Sequence, residues 1–166
     1  MAAVGTIGTE VCSGATGHAE VVHVAYNKAT ISFVDLLEVF WKTHDPTTLN
    51  RQGVDEGTQY RSVIFYHDEE QKRIAEESRA ELEKSGRFSK PIDTEIVPLT
   101  EFYPAEEYHQ DYYRKNPLRY KFYRYGSGRD QFLKSTWGDE TKASGRTMKS
   151  AADPKHSKPD DAVLKK

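Results

Sequence analysis

The sequence has very little cysteine. Cys12 is the only one among its 166 residues. A single thiol cannot form a disulfide within the chain, and it excludes a metal site built from several cysteines. Thiol chemistry at Cys12 would also have no second thiol of the same chain to resolve it.

Long apolar runs and an excess of one charge are absent as well. No stretch approaches the length of a bilayer span, and residues 1–10 lack the basic and apolar regions of a signal peptide. The formal net charge is -2 and the isoelectric point is about 6.3, so the chain has no basic field for nucleic acid. We expect a protein of the reducing cytoplasm that binds neither membranes nor nucleic acid.

The length is sufficient for one domain with one apolar core. Residues 138–166 have no aromatic side chain and carry charges of both signs, which lowers the mean hydropathy of the chain to -0.80. Such a composition does not bury enough apolar surface to offset the entropy of ordering. We therefore predict one domain over residues 1–137 and a disordered polar tail over residues 138–166.

Apolar periodicity predicts a mixture of strands and helices. We predict strands over residues 21–26, 60–66 and 94–98, a helix that begins at Ser32, a helix from Asp68 to about Lys84, a short helix over residues 105–115 and a last helical turn up to Trp137. Ser32 with Asp35, and Asp68 with Gln71, have the spacing of helix N-caps and their return partners. The order of elements has no βαβ regularity and favours a two-layer α+β domain.

The remaining elements are arranged around residues 44–62, with the sequence HDPTTLNRQGVDEGTQYRS. Asp45-Pro46, Gly53 and Gly57 are turn formers, and the neighbouring segments on both sides have the pattern of core elements. The segment therefore reads as a loop held between two rigid elements. It is either an ordered structural loop or the place where polar side chains form a binding pocket, and the residues alone leave both open.

The candidate site residues are Glu20, Asp55, Tyr60 and Tyr120, with His109 nearby in sequence. Glu20 lies at the start of a predicted strand, where partial desolvation would raise the pKa of its carboxyl and allow it to donate a proton near neutral pH. A protonated carboxyl and tyrosine hydroxyls can both donate to an oxygen that gains charge or leaves as water. These residues predict a pocket with acidic donors and aromatic walls.

Two other sites are compatible with the same residue types. Glycoside hydrolysis uses two carboxylates, but no spacing in this sequence requires Glu20 and Asp55 to face each other. His18, Glu20 and His23 could ligate a metal, yet strand alternation places Glu20 and His23 on opposite faces. We therefore expect no metal site.

Motifs in four segments, taken in order, resemble a known family. They are EVCSGATGHAE (residues 10–20), HDPTTLNRQG (residues 44–53), GTQYRS (residues 57–62) and FYPAEEYHQDY (residues 102–112). Together they resemble peptide methionine sulfoxide reductases of the A class, which are specific for the S epimer, over roughly residues 9–137. The resemblance implies a two-layer α/β sandwich around a mixed sheet, with the family's first strand missing. It also implies thiol-dependent reduction of methionine-S-sulfoxide, free or in proteins, as a repair of oxidative damage.

The resemblance further implies a mechanism and roles. In the family a cysteine thiolate attacks the sulfoxide sulfur, methionine leaves, and the sulfenic acid is reduced through a resolving thiol and thioredoxin. By motif, Glu20 is similar to the acid that protonates the sulfoxide oxygen, Tyr60 to a hydroxyl donor to that oxygen, Asp55 to the loop acid of the pocket and Tyr120 to an aromatic of its C-terminal wall. We expect a monomer with no bound cofactor, and with thioredoxin or dithiothreitol as reductant.

The sequence departs from the family in its thiol residues. The family nucleophile lies in a Gly-Cys-Phe-Trp motif, which does not occur here, and Cys12 matches a cysteine that the family does not use as nucleophile. A further family tyrosine falls at Gly8, and the positions of resolving cysteines carry Lys121 and Ser127. The oxygen-binding residues are therefore present and the thiol relay is not.

Three accounts of this split remain open. The chain is a truncated copy whose N-terminal part carried the cysteine, a remnant that binds methionine sulfoxide or a partner without turnover, or a variant in which Cys12 attacks the sulfur. We favour the first. The third is disfavoured, because Cys12 has no neighbouring base or cation in the sequence to lower the pKa of its thiol. Truncation also predicts an unpaired sheet edge and an uncovered apolar face.

Overall fold

The structure is a computed structural model that describes residues 11, 16–138 and 160–164. Its helices are α1 (Phe33–Trp41), α2 (Glu69–Lys84), α3 (Tyr112–Lys115), α4 (Pro117–Gly126) and α5 (Arg129–Trp137). Its strands are β1 (Val22–Tyr26), β2 (Arg51–Gln52), β3 (Asp55–Glu56), β4 (Val63–Tyr66), β5 (Glu95–Pro98) and β6 (Asp160–Leu164), with a 3-10 turn over Thr58–Tyr60. Among these described helices, none has the length and apolar character to cross a bilayer.

The main sheet is mixed and has the order β1-β6-β4-β5. β4 and β5 are parallel, whereas β6 runs antiparallel to both β1 and β4. It follows that β1 and β4 point in the same direction and begin at the same edge of the sheet. β2 and β3 form a separate two-stranded hairpin.

Helix α1 begins at Ser32 with the predicted capping box. The Asp35 amide donates to Ser32 Oγ at 3.2 Å, and the Ser32 amide donates to Asp35 Oδ2 at 2.9 Å. These bonds satisfy backbone donors that the first helical turn leaves without partners. The predicted apolar stripe is buried at Phe33, Leu37, Phe40 and Trp41.

Helix α2 begins at Asp68, whose carboxylate accepts from the Gln71 amide at 2.8 Å. It packs against α1, and the indole nitrogen of Trp41 donates to Ser78 Oγ at 2.8 Å. Because this bond joins the inner faces of both helices, it fixes their relative register. It also gives the indole N–H a hydrogen-bond acceptor within an apolar contact.

Strand β4 separates the two apolar clusters. Ile64 belongs to the cluster formed with α1, α2 and α5, which includes Leu37, Ala75 and Leu133. The side chains of Val63 and Phe65 point to the opposite face and pack with Ala19. This alternation confirms the predicted two faces of the strand and the two-layer α+β arrangement.

Several predicted boundaries differ from the structure. The strand predicted over residues 60–66 begins at Val63, because Thr58–Tyr60 forms a 3-10 turn closed by a bond from the Tyr60 amide to the Gly57 carbonyl at 2.9 Å. The helix predicted over residues 105–115 is limited to Tyr112–Lys115, since Asp111 has a left-handed backbone with a φ of 53°. Helix α4 was not predicted, because its aromatic residues do not follow a clear helical stripe.

The predicted disorder of residues 138–166 is wrong for Asp160–Leu164, which form strand β6. The prediction of disorder was based on composition, which reflects only how much apolar surface a segment can bury. Composition gives no information on backbone pairing, and here the backbone of β6 pairs with β1 on one side and with β4 on the other. Residues 139–159 and 165–166 lie outside the described residues, as do residues 1–10 and 12–15.

Candidate functional site

The central loop over residues 44–62 is tied at its two ends. His44 is buried; its Nδ1 lies 2.8 Å from the Phe40 carbonyl oxygen and its Nε2 lies 2.7 Å from Ser62 Oγ. A carbonyl only accepts, so Nδ1 carries the proton and Nε2 accepts from the Ser62 hydroxyl. Ser62 Oγ in turn accepts from Thr94 Oγ1 at 2.8 Å. This buried chain joins the end of α1 to the starts of β4 and β5.

A second set of hydrogen bonds orders the interior of the loop. The Asp45 amide donates to Gln52 Oε1 and Gln52 Nε2 donates back to the Asp45 carbonyl, both at 3.2 Å. The Asp45 carboxylate accepts from the amide and hydroxyl of Thr47 at 2.9 and 2.7 Å. These bonds hold the β2–β3 hairpin against the first turn of the loop, so the position of Asp55 is set by the frame.

Two glycines allow close approaches in this loop. Gly53 has a φ of +62°, and a β-carbon there would lie 3.3 Å from the Ser127 carbonyl oxygen, at the end of α4. Gly57 has a φ of +140°, and a β-carbon there would collide with the Gln59 side-chain amide. Because L side chains rarely adopt these conformations, both positions favour glycine. Gly53 thus lets the C-terminal helices lie directly on the loop.

The contact between α4 and the loop brings Tyr123 to Asp55. The Tyr123 hydroxyl donates a hydrogen bond to Asp55 Oδ2. Partial burial, together with this bond and the charge of Asp55, raises the pKa of Tyr123 to about 12, and Tyr60 is near enough to add to the shift. Tyr123 therefore remains a neutral donor at physiological pH, in the same region as Asp55 and Tyr60.

Glu20 reaches this region through its backbone. The Glu20 amide donates to the Gln59 carbonyl at 2.9 Å, and Gln59 directly precedes Tyr60. Glu20 is partly buried at the start of β1, while Tyr60 ends the 3-10 turn that leads into β4. Because β1 and β4 begin at the same edge of the sheet, the two residues lie at one edge.

Arg61 holds the turn that precedes Glu20. Its guanidinium donates to the carbonyl oxygens of Thr58 at 2.8 Å, Gly17 at 3.3 Å and His18 at 3.4 Å. Its Nε also lies 3.2 Å from Glu95 Oε2. The planar fork of arginine suits such a set of acceptors, and the side chain is only 11% exposed. Arg61 thereby fastens the approach to Glu20 onto the turn that carries Tyr60.

The predicted site residues differ in how closely the structure brings them together. Asp55 and Tyr60 both lie near Tyr123, and the Glu20 amide is bonded to Gln59, the residue before Tyr60. Tyr120 lies beside the Tyr113 ring, with 6.2 Å between centroids, and beside Arg124. His109 packs on the Tyr108 ring at 4.1 Å. Cys12 lies outside the described residues. The roles assigned to these side chains stay predictions.

Sequence reasoning missed Tyr123 and Arg61. Tyr120 and Tyr123 are three residues apart on α4 and share one helix face, so a prediction of this helix would have drawn attention to both. Arg61 lies inside the GTQYRS motif, but its contacts to backbone carbonyls across the sheet edge have no sequence signal.

A cavity of about 150 Å³ lies between the central loop and the α4–α5 corner. Its lining includes His44, Asp45, Gln52, Tyr123 and Arg129. Glu20, Asp55 and Tyr60 do not line it, so it meets the candidate donors only through Tyr123. Glu20 and Tyr60 lie at the sheet edge where β1 and β4 begin.

Comparison with known proteins identifies the family. The sequence profile of the family described as peptide methionine sulfoxide reductase matches residues 7–141. The chain belongs to the peptide methionine sulfoxide reductase family. The resemblance inferred from the four motifs is therefore confirmed.

Individual members of the family are similar over most of this chain. The peptide methionine sulfoxide reductase MsrA of Listeria monocytogenes serotype 4a is 52% identical over 128 residues, which are 77% of this chain and 72% of that protein. The MsrA of Methanothermobacter thermautotrophicus is 62% identical over 110 residues, covering 66% of this chain and 65% of that protein.

Solved structures of the family have a similar fold. Mxr1 from Saccharomyces cerevisiae in reduced form has a TM-score of 0.62 at 44% identity, over 65% of this chain and 59% of that one. The methionine sulfoxide reductase A of Corynebacterium diphtheriae has a TM-score of 0.58 at 38% identity, over 68% of this chain and 57% of that one. The chain thus spans less than two thirds of the length of these solved relatives, and its mixed α/β fold is that of the reductase family.

Proposed function

We propose that this chain binds the sulfoxide of oxidised methionine, in the S configuration, at the sheet edge that carries Glu20 and Tyr60, together with Asp55 of the β2–β3 hairpin. The observation that carries the proposal is the convergence of these three residues. The Glu20 amide is bonded to Gln59 next to Tyr60, and Tyr123, whose hydroxyl bonds to Asp55, lies near enough to Tyr60 to interact with it electrostatically. Methionine sulfoxide reduction is the reaction of the family to which the chain belongs.

The chemistry of the three residues suits a sulfoxide oxygen. This oxygen carries partial negative charge and accepts hydrogen bonds, so it pairs with a protonated carboxyl and a phenol. In the proposed complex the protonated Glu20 carboxyl and the Tyr60 hydroxyl each donate a hydrogen bond to the oxygen. Asp55 orients the donors through Tyr123. A sulfide or thioether lacks the oxygen and would not be held.

We further propose that these residues do not complete a reduction by themselves. Removing the oxygen requires a nucleophile that attacks sulfur, and carboxylate and phenol groups do not supply it. The sequence contains no Gly-Cys-Phe-Trp motif, and its one cysteine is Cys12. The alternative, in which Cys12 attacks, stays a separate hypothesis with its own test. In that case a partner thiol such as thioredoxin, or dithiothreitol in the laboratory, would reduce oxidised Cys12 back to its thiol without a bound cofactor.

We propose a cytoplasmic monomer as the working form.

Binding is tested by titrating the full chain with the S and R epimers of N-acetyl methionine sulfoxide amide and following amide shifts by NMR. We expect saturable shifts of the residues around Tyr60 for the S epimer and weaker ones for the R epimer. Glu20→Gln and Tyr60→Phe should each lower the affinity about tenfold, the effect of one lost hydrogen bond to a polar ligand. Equal binding of both epimers, unchanged by these substitutions, would contradict the proposal.

Matched control variants separate the site from general effects. Tyr125→Phe removes an exposed phenol and Glu81→Gln an exposed carboxylate on α2. Both should bind the S epimer as the unmodified chain does.

Turnover is tested by following methionine release with excess dithiothreitol. We expect none from the 166-residue chain. Release that is abolished by Cys12→Ser would instead assign the nucleophile to Cys12, and it would overturn the proposal of binding without reduction.

A further inference from the structure

The strand that fills the middle of the main sheet lies outside the part of the chain that matches the family. The family profile ends at residue 141, whereas β6 spans Asp160–Leu164. β6 nevertheless pairs with all five residues of β1, from Val22 opposite Leu164 to Tyr26 opposite Asp160. Its other side pairs with β4, with Ile64 opposite Leu164.

These pairings place one end of β6 at the candidate site. Leu164 is in register with Val22 on one side and with Ile64 on the other. Val22 lies two positions after Glu20, and Ile64 lies four positions after Tyr60. The carboxyl end of β6 is therefore inserted between the two strand starts that carry the proposed oxygen donors.

Among the described residues, β6 is also the strand through which β1 and β4 become part of one sheet. The sheet order β1-β6-β4-β5 leaves no direct ladder between β1 and β4. A middle strand separates its neighbours by two interstrand spacings, about 10 Å, and its ladder bonds hold that distance. The bond from Glu20 to Gln59 and the Arg61 contacts fasten the loops at the sheet edge, but they do not pair the strands.

We propose that Asp160–Leu164 is a positioning element of the sulfoxide site, which sets the separation of Glu20 and Tyr60 by pairing with β1 and β4. This inference rests on the function proposed above. It assigns a role in the site to a segment beyond the family domain, so the pocket of this chain is completed by its own C-terminal strand.

The first test is a disulfide that depends on register. In a Cys12→Ser background, Val22→Cys with Leu164→Cys places two thiols on directly opposite residues, with α-carbons about 5 Å apart, which a disulfide spans. Val22→Cys with Asp160→Cys is the matched control. Asp160 lies four residues along the same strand face, about 13 Å from Leu164.

We expect the opposite pair to oxidise almost completely in a glutathione redox buffer and the control pair to remain reduced. Equal oxidation of the two pairs, or oxidation of neither, would overturn the placement of β6 between β1 and β4. This outcome is independent of ligand binding, so it is informative even if the chain binds no sulfoxide.

The second test interrupts the ladder in the full chain. Every residue of a middle strand donates its amide to one neighbour or the other, so Val163→Pro removes a ladder bond. Ala152→Pro, outside the described strands and helices, is the control. We expect Val163→Pro to lower S-epimer affinity at least tenfold at a temperature where circular dichroism shows the chain folded, and the control to leave it unchanged.

A ligand-free measurement separates this inference from the proposed function. With 3-fluorotyrosine incorporated at Tyr60, the fluorine shift reports the surroundings of the phenol. We expect Val163→Pro to move this shift and Ala152→Pro to leave it. A shift unaffected by Val163→Pro would overturn the positioning role whether or not sulfoxide binds. The unmodified chain could also fail to bind either epimer while Val163→Pro still moves the fluorine shift. That result would reject the sulfoxide function and retain β6 as the element that positions Tyr60.

Discussion

The central loop over residues 44–62 and the C-terminal segment over residues 101–137 both contribute to the candidate site, but they are held by different interactions. The loop is closed by buried polar bonds, of which the chain from His44 through Ser62 to Thr94 is the main one. The C-terminal segment leaves many large side chains in solvent, including Phe122 at 75% and Tyr125 at 73% exposure. Its polar contacts are surface ion pairs such as Arg124 with Asp130.

Because the two regions are held by different interactions, the central loop forms the rigid part of the site and the C-terminal segment the more easily displaced part. Tyr60 and Asp55 belong to a loop whose two ends are joined by buried bonds, each of which has a large effect when it is broken. Tyr123 is brought in by an exposed helix through one hydrogen bond to Asp55. We therefore expect substitutions in the loop to destabilise the protein more than substitutions in the C-terminal segment.

The largest effect is expected for Ser62→Ala. It removes the buried hydroxyl that bonds to both His44 Nε2 and Thr94 Oγ1. The free energy of unfolding should fall by about 1–3 kcal/mol, because two buried hydrogen bonds are lost at once. Chemical denaturation measures this loss. Ser85→Ala, at the exposed end of α2, removes a hydroxyl that bonds to the Leu82 carbonyl and the Arg87 amide in contact with solvent, and it should have a much smaller effect.

A somewhat smaller loss is expected for Arg61→Lys. Lysine keeps the charge but lacks the planar fork, so it does not bond to the Thr58, Gly17 and His18 carbonyls together. We expect a loss of about 1–2 kcal/mol, because partly buried carbonyls lose their donors. Thermal unfolding monitors it, with Arg73→Lys on the exposed face of α2 as the control. Equal effects at both positions would contradict the clamping role.

Tyr123→Phe tests the contact between the two regions. Loss of its bond to Asp55 should lower the free energy of unfolding by about 0.5–1.5 kcal/mol near neutral pH. Tyr125→Phe, two residues further along α4 and exposed, should not change it. If the two variants unfold alike, the C-terminal helix does not depend on this bond.

The same phenol predicts the alkaline behaviour of the protein. The pKa of Tyr123 is raised to about 12 in the folded chain from its ordinary value of 10.0. Between these values the unfolded chain releases the proton and the folded chain keeps it, so stability falls as pH rises. The contribution is fully present below pH 10 and is lost as pH rises through about 12. Stability measured against pH in unmodified protein and Tyr123→Phe should differ in slope over this range.

The smallest effect is expected for Asp130→Asn. It breaks the ion pair in which Arg124 Nε and Asp130 Oδ1 are 2.6 Å apart on an exposed corner. Exposed pairs contribute only about 0–1 kcal/mol, and salt screens them. Unfolding at low and high salt should show a small difference that disappears at high salt. If Asp130→Asn lowered the free energy of unfolding as much as Ser62→Ala, the central loop and the C-terminal segment would not differ in how strongly they are held.

Local signals in the sequence were sufficient for much of the fold. The Ser32 and Asp68 caps, the apolar stripe of α1 and the alternation along β4 each depend on residues a few positions apart. The same is true of the motifs that identified the family. Such features are determined by backbone geometry that is the same in any protein.

What the sequence did not predict depends on contacts between distant segments. Tyr123 meets Asp55 only because Gly53 lets the end of α4 approach the loop. β6 forms because β1 and β4 offer backbone partners on both sides of this short segment. Pairing across long intervals has no local periodicity, so composition alone gave disorder for Asp160–Leu164.

The bond between His44 and Ser62 has one more consequence. Because these residues meet, the intervening stretch leaves and rejoins the scaffold at a single point. Its exposed side chains, such as those of Leu49 and Val54, can therefore vary without altering the course of the chain on either side. Designed variants with other residues at such positions would present a new surface on an unchanged framework.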